Sequence, residues 1–324
     1  MPGTDILLDL DQVTRSFARC EALRGVSFQI RRGEVVALLG PNGSGKTTLL
    51  RILAGVLTAT SGRVRVGGCN MATRSLEARR QTGYLPESNP LCPELRVTEY
   101  LKWRGQLHGL RGKQLAARLR ETIERGGLAD VSGQLISNLS HGFRQRVGLA
   151  ACLLHEPAIL LLDEPFAGLD PAQVVATRQW LAKAGETSTI LYSTHMLADL
   201  ETDCRRALIL NAGRLVAFDT PQRIAGSFTR WHAELQTDEP TLAAALETMP
   251  GLTDTRLKPL EDGWTAISIR GGSQDLPAAL EECARSRQWP LRHMRQTTRS
   301  FAEAYMRLTT LPPLVRNPAQ RSKS

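Results

Sequence analysis

The stretch from Gly40 to Thr47 has the residue types and the spacing of a phosphate-binding loop. It reads GPNGSGKT and matches the pattern G-x-x-x-x-G-K-[ST] in full. Glycines allow a tight turn that points successive backbone N–H groups inward, at the positive end of the helix predicted to follow. Lys46 can reach the β- and γ-phosphates of a nucleotide, and the Thr47 hydroxyl can bind magnesium. Because a strand-like stretch precedes the loop and a helical one follows it, we predict a nucleotide-binding site.

The stretch AILLLDEP ends in two carboxylates, Asp163 and Glu164. Its continuous apolar run predicts a buried parallel strand, and ligands bind at the carboxyl ends of such strands. Asp163 suits the magnesium shell, directly or through water, and Glu164 is placed to polarise an attacking water as a general base. Two solvated acids at a strand end are the alternative, which a phosphate-binding loop in the same chain disfavours.

His195 follows a second short apolar run, in STILYSTHML. We expect this run to form a strand beside the strand that precedes the phosphate-binding loop. His195 would then lie near the γ-phosphate, where it could hold the attacking water or sense the phosphate. A lone histidine after a strand is usually structural, so this assignment depends on the predicted strand order.

A helix with a polar cap is predicted in LSHGFRQRVGLAA, residues 139–151. Ser140 is a favourable N-cap residue, and Pro157 ends the helix. Apolar residues recur at helical spacing: Val147, Ala150, Ala151 and Leu154. Taken alone, the stretch is typical of a capped surface helix that binds nothing.

Length and composition predict a large core and two domains, since the chain has 324 residues and 42% of them are hydrophobic. No apolar run approaches the roughly 18 to 20 residues of a membrane-spanning helix, and no charged-then-apolar signal stands at the N-terminus. We therefore expect a cytosolic protein that reaches a membrane only through a partner. Six cysteines without a Cys-x-x-Cys spacing predict reduced structural thiols and argue against a zinc site.

The net charge of +9 is compatible with nucleic acid or an anionic membrane surface as a partner. The basic excess is spread along the chain except in residues 101–125, which hold seven lysines and arginines against two glutamates. This segment is either a solvated helical face or a docking surface.

Five motifs follow one another along the chain: GPNGSGKTT, LSHGFRQRVGLA, ILLLDEP, AGLD and STH. Together they resemble the ATP-binding subunit of an ABC transporter over about residues 5–222. The resemblance implies an α/β fold, in which a P-loop ATPase domain combines a parallel core sheet, an antiparallel β subdomain and a helical subdomain at about 88–155. The alternating stretches LRGVSFQI and GRVRVGG suit the antiparallel sheet.

The same resemblance implies ATP and Mg²⁺ as cofactors and a two-fold dimer as the working state. LSHG corresponds to the signature motif, which binds the ATP held by another subunit in a head-to-tail arrangement. Ser140, the Gly142 backbone and the positive end of the following helix would face a γ-phosphate across the dimer. The helical subdomain would face the membrane partner.

Motif by motif, the resemblance assigns three sets of site residues. Catalytic roles fall to Glu164 and His195. Magnesium ligation falls to Thr47, Glu87 and Asp163. ATP binding falls to Phe17, Gly40, Pro41, Asn42, Gly43, Ser44, Gly45, Lys46, Thr47, Thr48, Ser140, Gly142 and Asp170. Phe17 would stack on adenine, with a core phenylalanine as the alternative, and Asp170 belongs to the loop that signals between the two sites.

The chain departs from the family pattern at three places. In the signature, His141 replaces a glycine and Phe143 replaces a common glutamine, whereas Ser140 and Gly142 remain. Glu87 stands where the family usually has a glutamine that binds magnesium and links to the transmembrane subunit. A carboxylate can also bind magnesium, but it adds negative charge beside ATP. Ala167 replaces a common serine, with a mild effect expected.

The residues of GYLPESNPL and of the signature motif most resemble those of the exporter branch, which includes gliding-motility and multidrug ATPases. This implies an ATP-hydrolysing subunit that drives a separate transmembrane permease and pairs with a second ATP-binding subunit, with a homodimer expected. The chain would lie at the inner face of the cell membrane through the permease. No nucleic-acid partner is expected, because the basic charge is diffuse.

Two other functions stay open at this point. A soluble ABC-type ATPase acting on nucleic acid or ribosomes would usually carry two cassettes or long coiled coils, and this chain has one P-loop and no sustained heptads. An ATP-binding regulatory module without turnover is the other, with Glu87 as its best support.

The C-terminal region changes character after residue 222. RWHAELQ, DTRLKPL, WTAISIR and PLRHMRQ are predicted strands, and TLAAALETM and DLPAALEECARSR are predicted helices. Their order is β-α-β-β-α-β, the ferredoxin-like α+β pattern. We therefore predict an ABC ATP-binding domain at 1–222, an accessory domain at 223–310 and a disordered tail at 311–324. TTRSFAEAYMRLT resembles the short helix that ends the chains of the exporter branch, which supports that resemblance.

Overall fold

The computed structural model describes residues 5–18, 20–197, 200, 204–226, 230–247, 249, 253–270, 276–297 and 300–310. The chain divides into two compact units. The first comprises Met1–Asp219 and Leu308–Ser324, and the second comprises Thr220–Arg307. The predicted disordered tail, 311–324, lies outside the described residues.

The first unit alternates strands and helices in the order expected of an α/β domain. Its strands are β1 Ile6–Phe17, β2 Cys20–Arg31, β3 Val35–Leu39, β4 Ser61–Val66, β5 Cys69–Asn70, β6 Thr82–Leu85, β7 Ile159–Leu162, β8 Thr189–Ser193, β9 Arg206–Asn211 and β10 Arg214–Asp219. Its helices are α1 Lys46–Leu53, α2 Ser75–Arg80, α3 Val97–Leu107, α4 Gly112–Arg125, α5 His141–Leu153 and α6 Pro171–Gly185.

Six strands form the core sheet in the order β10-β9-β3-β8-β7-β6. The pairs among β9, β3, β8, β7 and β6 are parallel, and only β10 runs antiparallel to its neighbour. β7 and β8 are buried along their whole length, as their continuous apolar runs predict. β8 pairs directly with β3, so the predicted place of the His195 strand is confirmed.

Four strands form a second, antiparallel sheet in the order β2-β1-β4-β5. Leu8 pairs with Ile30 of β2 on one side and with Val66 of β4 on the other. All three side chains are fully buried, because one face of this sheet packs into the large core of the unit. The predicted antiparallel subdomain is therefore confirmed.

The helices α3, α4 and α5 enclose a hydrophobic core that is separate from the core of the sheets. The predicted helix after Ser140 is confirmed, and Val147, Ala150, Ala151 and Leu154 lie in that core. In the basic segment, Leu101, Leu115 and Leu119 point into it as well. Among the described residues, no helix combines the length and the apolar character needed to cross a membrane.

A pair of histidines in the helical region gives this part of the fold a pH dependence. The rings of His108 and His155 stack with centroids 3.6 Å apart. The pKa of His155 is lowered to about 3, mainly by burial and secondly by the charge of a protonated His108. An unfolded chain would protonate His155 near its ordinary pKa of about 6.5, so lowering the pH through this window favours the unfolded state.

We expect His155→Phe, which keeps an aromatic ring against His108, to flatten the acid sensitivity. In urea titrations, the unfolding free energy of the wild type should fall as the pH drops from about 6.5 towards about 4, and that of the variant should fall less. His141→Gln, at the exposed start of α5, is the control and should keep the wild-type slope. Equal slopes in the wild type and in His155→Phe would contradict the assignment.

The second unit contains α7 Pro221–Gly226, β11 Arg230–Gln236, α8 Glu239–Glu247, β12 Thr253–Pro259, β13 Trp264–Arg270, α9 Leu276–Ser286 and β14 Leu291–Thr297. The sheet order is β12-β13-β11-β14, and its pairs are antiparallel. This is the ferredoxin-like arrangement that the β-α-β-β-α-β pattern predicts. A helix, α10 Phe301–Thr310, follows at the division between the units.

Candidate nucleotide-binding site

The loop between β3 and α1 has a backbone path that its glycines make possible. A Cβ atom at Gly40 would lie 2.3 Å from the Leu210 carbonyl oxygen and 2.4 Å from Ser44 Oγ. One at Gly45, where φ is 106°, would lie 2.6 Å from the Ala22 carbonyl oxygen. No side chain fits at either position, so the loop can wrap tightly ahead of the α1 N-terminus.

The polar groups of this loop are arranged as a phosphate cradle would require. Lys46 Nζ donates to the carbonyl oxygens of Gly40 and Pro41, at 2.8 and 3.2 Å, and so spans the mouth of the loop. Ser44 Oγ is buried and has no hydrogen-bond partner in the described part of the chain. A buried hydroxyl without a partner is costly, and a phosphate oxygen would satisfy it. Thr47 and Thr48 are half-buried in the first turn of α1, whereas Pro41, Asn42 and Gly43 are exposed.

Asp163 lies directly after β7 and is 1% exposed. Its Oδ1 accepts a hydrogen bond of 2.7 Å from Ser193 Oγ, at the end of β8. Its Oδ2 is buried without a partner among the residues that the structure describes. An oxygen of this kind suits a hard cation or a water in its shell.

Glu164 and His195 are in direct contact. Glu164 Oε2 lies 2.9 Å from His195 Nδ1, and the histidine side chain is 75% exposed whereas that of the glutamate is 15% exposed. The Glu164 backbone has φ 51°, in the left-handed region that residues other than glycine adopt rarely. Such strain persists where surrounding contacts fix the backbone, and it clusters at functional sites.

Ser193 is the first residue of the STH motif, but the motif assigned a role only to His195. Its hydroxyl donates to Asp163 and accepts from the backbone N–H of Glu164 at 2.8 Å, so it fixes both acidic residues. In the sequence, Ser193 is marked by this motif and by its place at the end of the β8 strand, two residues before His195. The pairing of β7 with β8 brings Ser193 close to Asp163, and this pairing is a tertiary contact that the local sequence does not show.

Glu87 lies on the loop that leaves the same edge of the sheet. Leu85, the last residue of β6, pairs with Leu162 of β7, and its carbonyl oxygen accepts a bond of 2.8 Å from the Asp163 N–H. Glu87 follows two residues later and is exposed. Burial, and next the charge of Asp163, raise the pKa of Tyr84 on β6, so this phenol stays protonated.

The signature residues and Asp170 meet through Gln173. Ser140 is the N-cap of α5, with its Oγ accepting from the Phe143 N–H, and Asp170 is the N-cap of α6, with its Oδ1 accepting from the Gln173 N–H. A Cβ at Gly142 would lie 2.2 Å from Gln173 Oε1, so only glycine fits there without a shift of that side chain.

His141 joins the same two segments. Its Nε2 lies 3.3 Å from the Ala167 carbonyl oxygen, and a Cβ at Gly168 would lie 2.4 Å from its ring. Two of the departures from the family pattern, His141 and Ala167, therefore contact each other.

Phe17 is the last residue of β1 and is 42% exposed, so it does not belong to the core. The guanidinium of Arg15 lies 4.6 Å from the centre of its ring. An exposed ring at a strand end is available for stacking.

Removal of the Ser193 hydroxyl should slow ATP turnover. In Ser193→Ala, Asp163 Oδ1 and the Glu164 N–H lose a shared partner, which corresponds to about 1–3 kcal/mol for a buried group and to a fall in kcat of about tenfold or more. The matched control is Ser188→Ala, just before the other end of β8. Ser188 is buried and donates to the Pro157 carbonyl oxygen at 2.7 Å. The Ser188→Ala variant should be less stable than the wild type yet keep its kcat. Equal losses of kcat in Ser193→Ala and Ser188→Ala would contradict the role of Ser193.

Comparison with known proteins places this site in a family. A family profile described as "ABC transporter" matches residues 23–167. The chain is 36% identical to the uncharacterized ABC transporter ATP-binding protein YxlF of Bacillus subtilis (strain 168), over 64% of this chain and 69% of that protein. It is 30% identical to the linearmycin resistance ATP-binding protein LnrL of the same organism, over 66% of this chain and 69% of LnrL.

A solved structure shares the fold of the first unit. It is the dimeric ATP-binding cassette MJ0796 in a post-hydrolysis state, bound to ADP and Pi. The TM-score is 0.61 at 25% identity, and the match covers 66% of this chain and 98% of that one. With the P-loop and the acidic pair at one edge of the core sheet, these similarities identify the chain as an ATP-binding subunit of the ABC transporter family, whose domain is an ATPase.

Proposed function

We propose that this chain hydrolyses ATP to drive export through a separate transmembrane permease, and that it lies at the inner face of the cell membrane by binding that permease. The observation that carries the hydrolytic part is the contact of Glu164 with His195 beside the buried Asp163. The two acidic residues follow β7, and His195 follows β8, which lies between β7 and the P-loop strand β3. The relative named for linearmycin resistance supports the export direction.

Each site residue has a defined part in this proposal. The P-loop, residues 40–48, holds the phosphates, and Phe17 stacks on adenine. Glu164 accepts a proton from the attacking water, while His195 orients the Glu164 carboxylate from its other side. Ser193 and the strained Glu164 backbone keep the carboxylate from turning away, so the base is preorganised before the nucleotide arrives.

Magnesium fits the residues present at this edge. Asp163 supplies a buried oxygen without a partner in the described chain, and Thr47 supplies a hydroxyl in the first turn of α1. Glu87, on the loop beside Asp163, adds a carboxylate in place of the family's amide. A bound Mg²⁺ would neutralise negative charge on the phosphates. In the described ranges, no group of three or more His, Cys, Asp or Glu side chains is arranged so that it could hold a metal ion.

A second copy of the chain, or a related subunit, would complete each site. Ser140 caps α5 and is exposed, as is His141, the first residue of the helix, whereas Gly142 is buried beside Gln173. Such an N-terminus binds anions. The dimeric state of the MJ0796 cassette supports the pairing of two subunits. In a head-to-tail pair, the α5 N-terminus would meet the other subunit's ATP.

The test is capture of the partner from native membranes. Full-length Glu164→Gln, tagged, would be pulled down from detergent-solubilised membranes with and without ATP and read by mass spectrometry. Recovery of one polytopic membrane protein is the expected result. Recovery of ribosomal or DNA-associated proteins with no membrane partner would overturn the transporter role and favour the soluble ATPase.

A further inference from the structure

Gln145 is a buried polar residue in the middle of α5 that contacts two segments at the edge of the core sheet. It is 4% exposed. Its Nε2 lies 3.4 Å from the Glu164 carbonyl oxygen and 3.4 Å from the Pro165 carbonyl oxygen, and its Oε1 accepts from Asn89 Nδ2 at 3.3 Å. Both N–H donors and the oxygen of the amide are therefore engaged.

Asn89 fixes the other side of this contact. It lies on the Glu87 loop, has φ 40° and donates through Nδ2 to the Arg144 carbonyl oxygen at 2.8 Å. A Cβ at Gly148 would lie 2.1 Å from Asn89 Oδ1, so the helix has a glycine where the asparagine side chain packs. Asn89 therefore attaches the Glu87 loop, which follows β6 after Leu85, to α5.

Glu164 requires such support because its backbone is strained. Its N–H is held by Ser193, and its carbonyl oxygen by Gln145 and by the Ala167 N–H at 3.1 Å. A left-handed conformation at a glutamate survives only where contacts of this kind over-determine it. Without the Gln145 amide, the Glu164–Pro165 peptide would lose its link to α5.

We propose that Gln145 is a positioning residue for ATP hydrolysis, which sets the Glu164 backbone and ties it to α5 and to the Glu87 loop. The inference rests on the proposed role of Glu164 as the base. Since α5 begins at the signature motif, a shift of α5 when the second subunit docks would reach Glu164 directly through the Gln145 amide. Docking of the second subunit at the start of α5 would thereby align the Glu164 carboxylate, because Gln145 of α5 contacts the Glu164 backbone.

The test is Gln145→Met in the full-length protein, because methionine keeps the length and volume but lacks both donors. We expect kcat to fall about 10- to 100-fold, the cost of a small misplacement of a catalytic group, while KM and the affinity for ATP stay unchanged. Cys152→Ala is the matched control, since Cys152 is buried on the same helix two turns later. It should lower the melting temperature and leave kcat unchanged.

Asn89→Gly provides a second test that does not disturb the helix core. Glycine tolerates the positive φ of this position and removes only the amide, so kcat should again fall with the affinity for ATP retained. Wild-type kcat in both Gln145→Met and Asn89→Gly, or a loss of ATP affinity matching the loss of kcat, would overturn the inference. If Gln145→Met fails to fold, Asn89→Gly decides alone.

Glu164→Gln, measured alongside, separates this inference from the one on which it rests. Wild-type turnover in Glu164→Gln would remove the proposed base, and with it the basis for Gln145. An inactive Glu164→Gln together with fully active Gln145 and Asn89 variants would overturn the role of Gln145 alone.

Discussion

Glu164→Gln is expected to bind ATP with the wild-type affinity and to hydrolyse it about a hundredfold more slowly or worse, the usual loss when a general base is removed. Glutamine has nearly the same shape, and its side-chain oxygen can still accept from His195, which lies 2.9 Å from the carboxylate. The amide cannot take a proton from water. Binding and chemistry should therefore separate in this variant.

The measurement combines steady-state phosphate release with titration of a fluorescent ATP analogue. Light scattering with and without ATP adds a third readout, since a site that binds without hydrolysis should accumulate the closed dimer. Glu186→Gln, an exposed glutamate after α6, is the control and should behave as the wild type. Near-wild-type turnover in Glu164→Gln would remove Glu164 from the catalytic role.

The strands around the site could be predicted because burial leaves a direct mark on sequence. ILLL in β7 is apolar throughout and TILYS in β8 has an apolar centre, as is typical of strands covered on both faces. Asp163 follows β7 directly, and Ser193 ends β8. The P-loop could be predicted because its geometry demands glycines at fixed spacing. In both cases the structural requirement, burial of a strand or a tight turn of the backbone, acts on neighbouring residues and is therefore visible in the local sequence.

The supporting contacts could not be predicted, because they depend on which strands and helices become neighbours. Gln145 reads as one polar residue among several in HGFRQR, and helical periodicity does not reveal that its amide is buried against Pro165. Asn89 reads as a loop residue, and only the packed α5 explains its role. Ser193 differs from any serine at a strand end solely through the pairing of β8 with β7.

Helix boundaries in the second unit show a missed local signal. The stretch TLAAALETM predicts a helix from residue 241, whereas α8 begins at Glu239. Asp238 explains the difference, since its Oδ1 accepts a bond of 2.7 Å from the Thr241 N–H, as an N-cap does. Proline at the second helical position suits such a start, so Asp-Glu-Pro was a readable signal.

Lys46→Ala is expected to weaken ATP binding by at least about tenfold. A charge-assisted hydrogen bond contributes about 1.5–3 kcal/mol, so its loss weakens binding by about tenfold to a hundredfold, and the phosphates lose a positive charge as well. The ammonium also donates to the carbonyl oxygens of Gly40 and Pro41, so the variant loses the group that spans the mouth of the loop. ATP titration of Lys46→Ala is the direct check, with the exposed Lys183→Ala as its control.

The two variants together decide the assignment of the site, because they should fail in different ways. Glu164→Gln should bind ATP and not hydrolyse it, whereas Lys46→Ala should lose affinity for ATP and, with it, turnover and ATP-dependent dimer formation. Unchanged ATP affinity in Lys46→Ala would contradict the P-loop assignment even if turnover fell, because the lysine would then act after binding. A loss of affinity in both variants would mean that Glu164 contributes to holding the nucleotide, and its contact with His195 would have to be explained as support for binding instead of proton transfer.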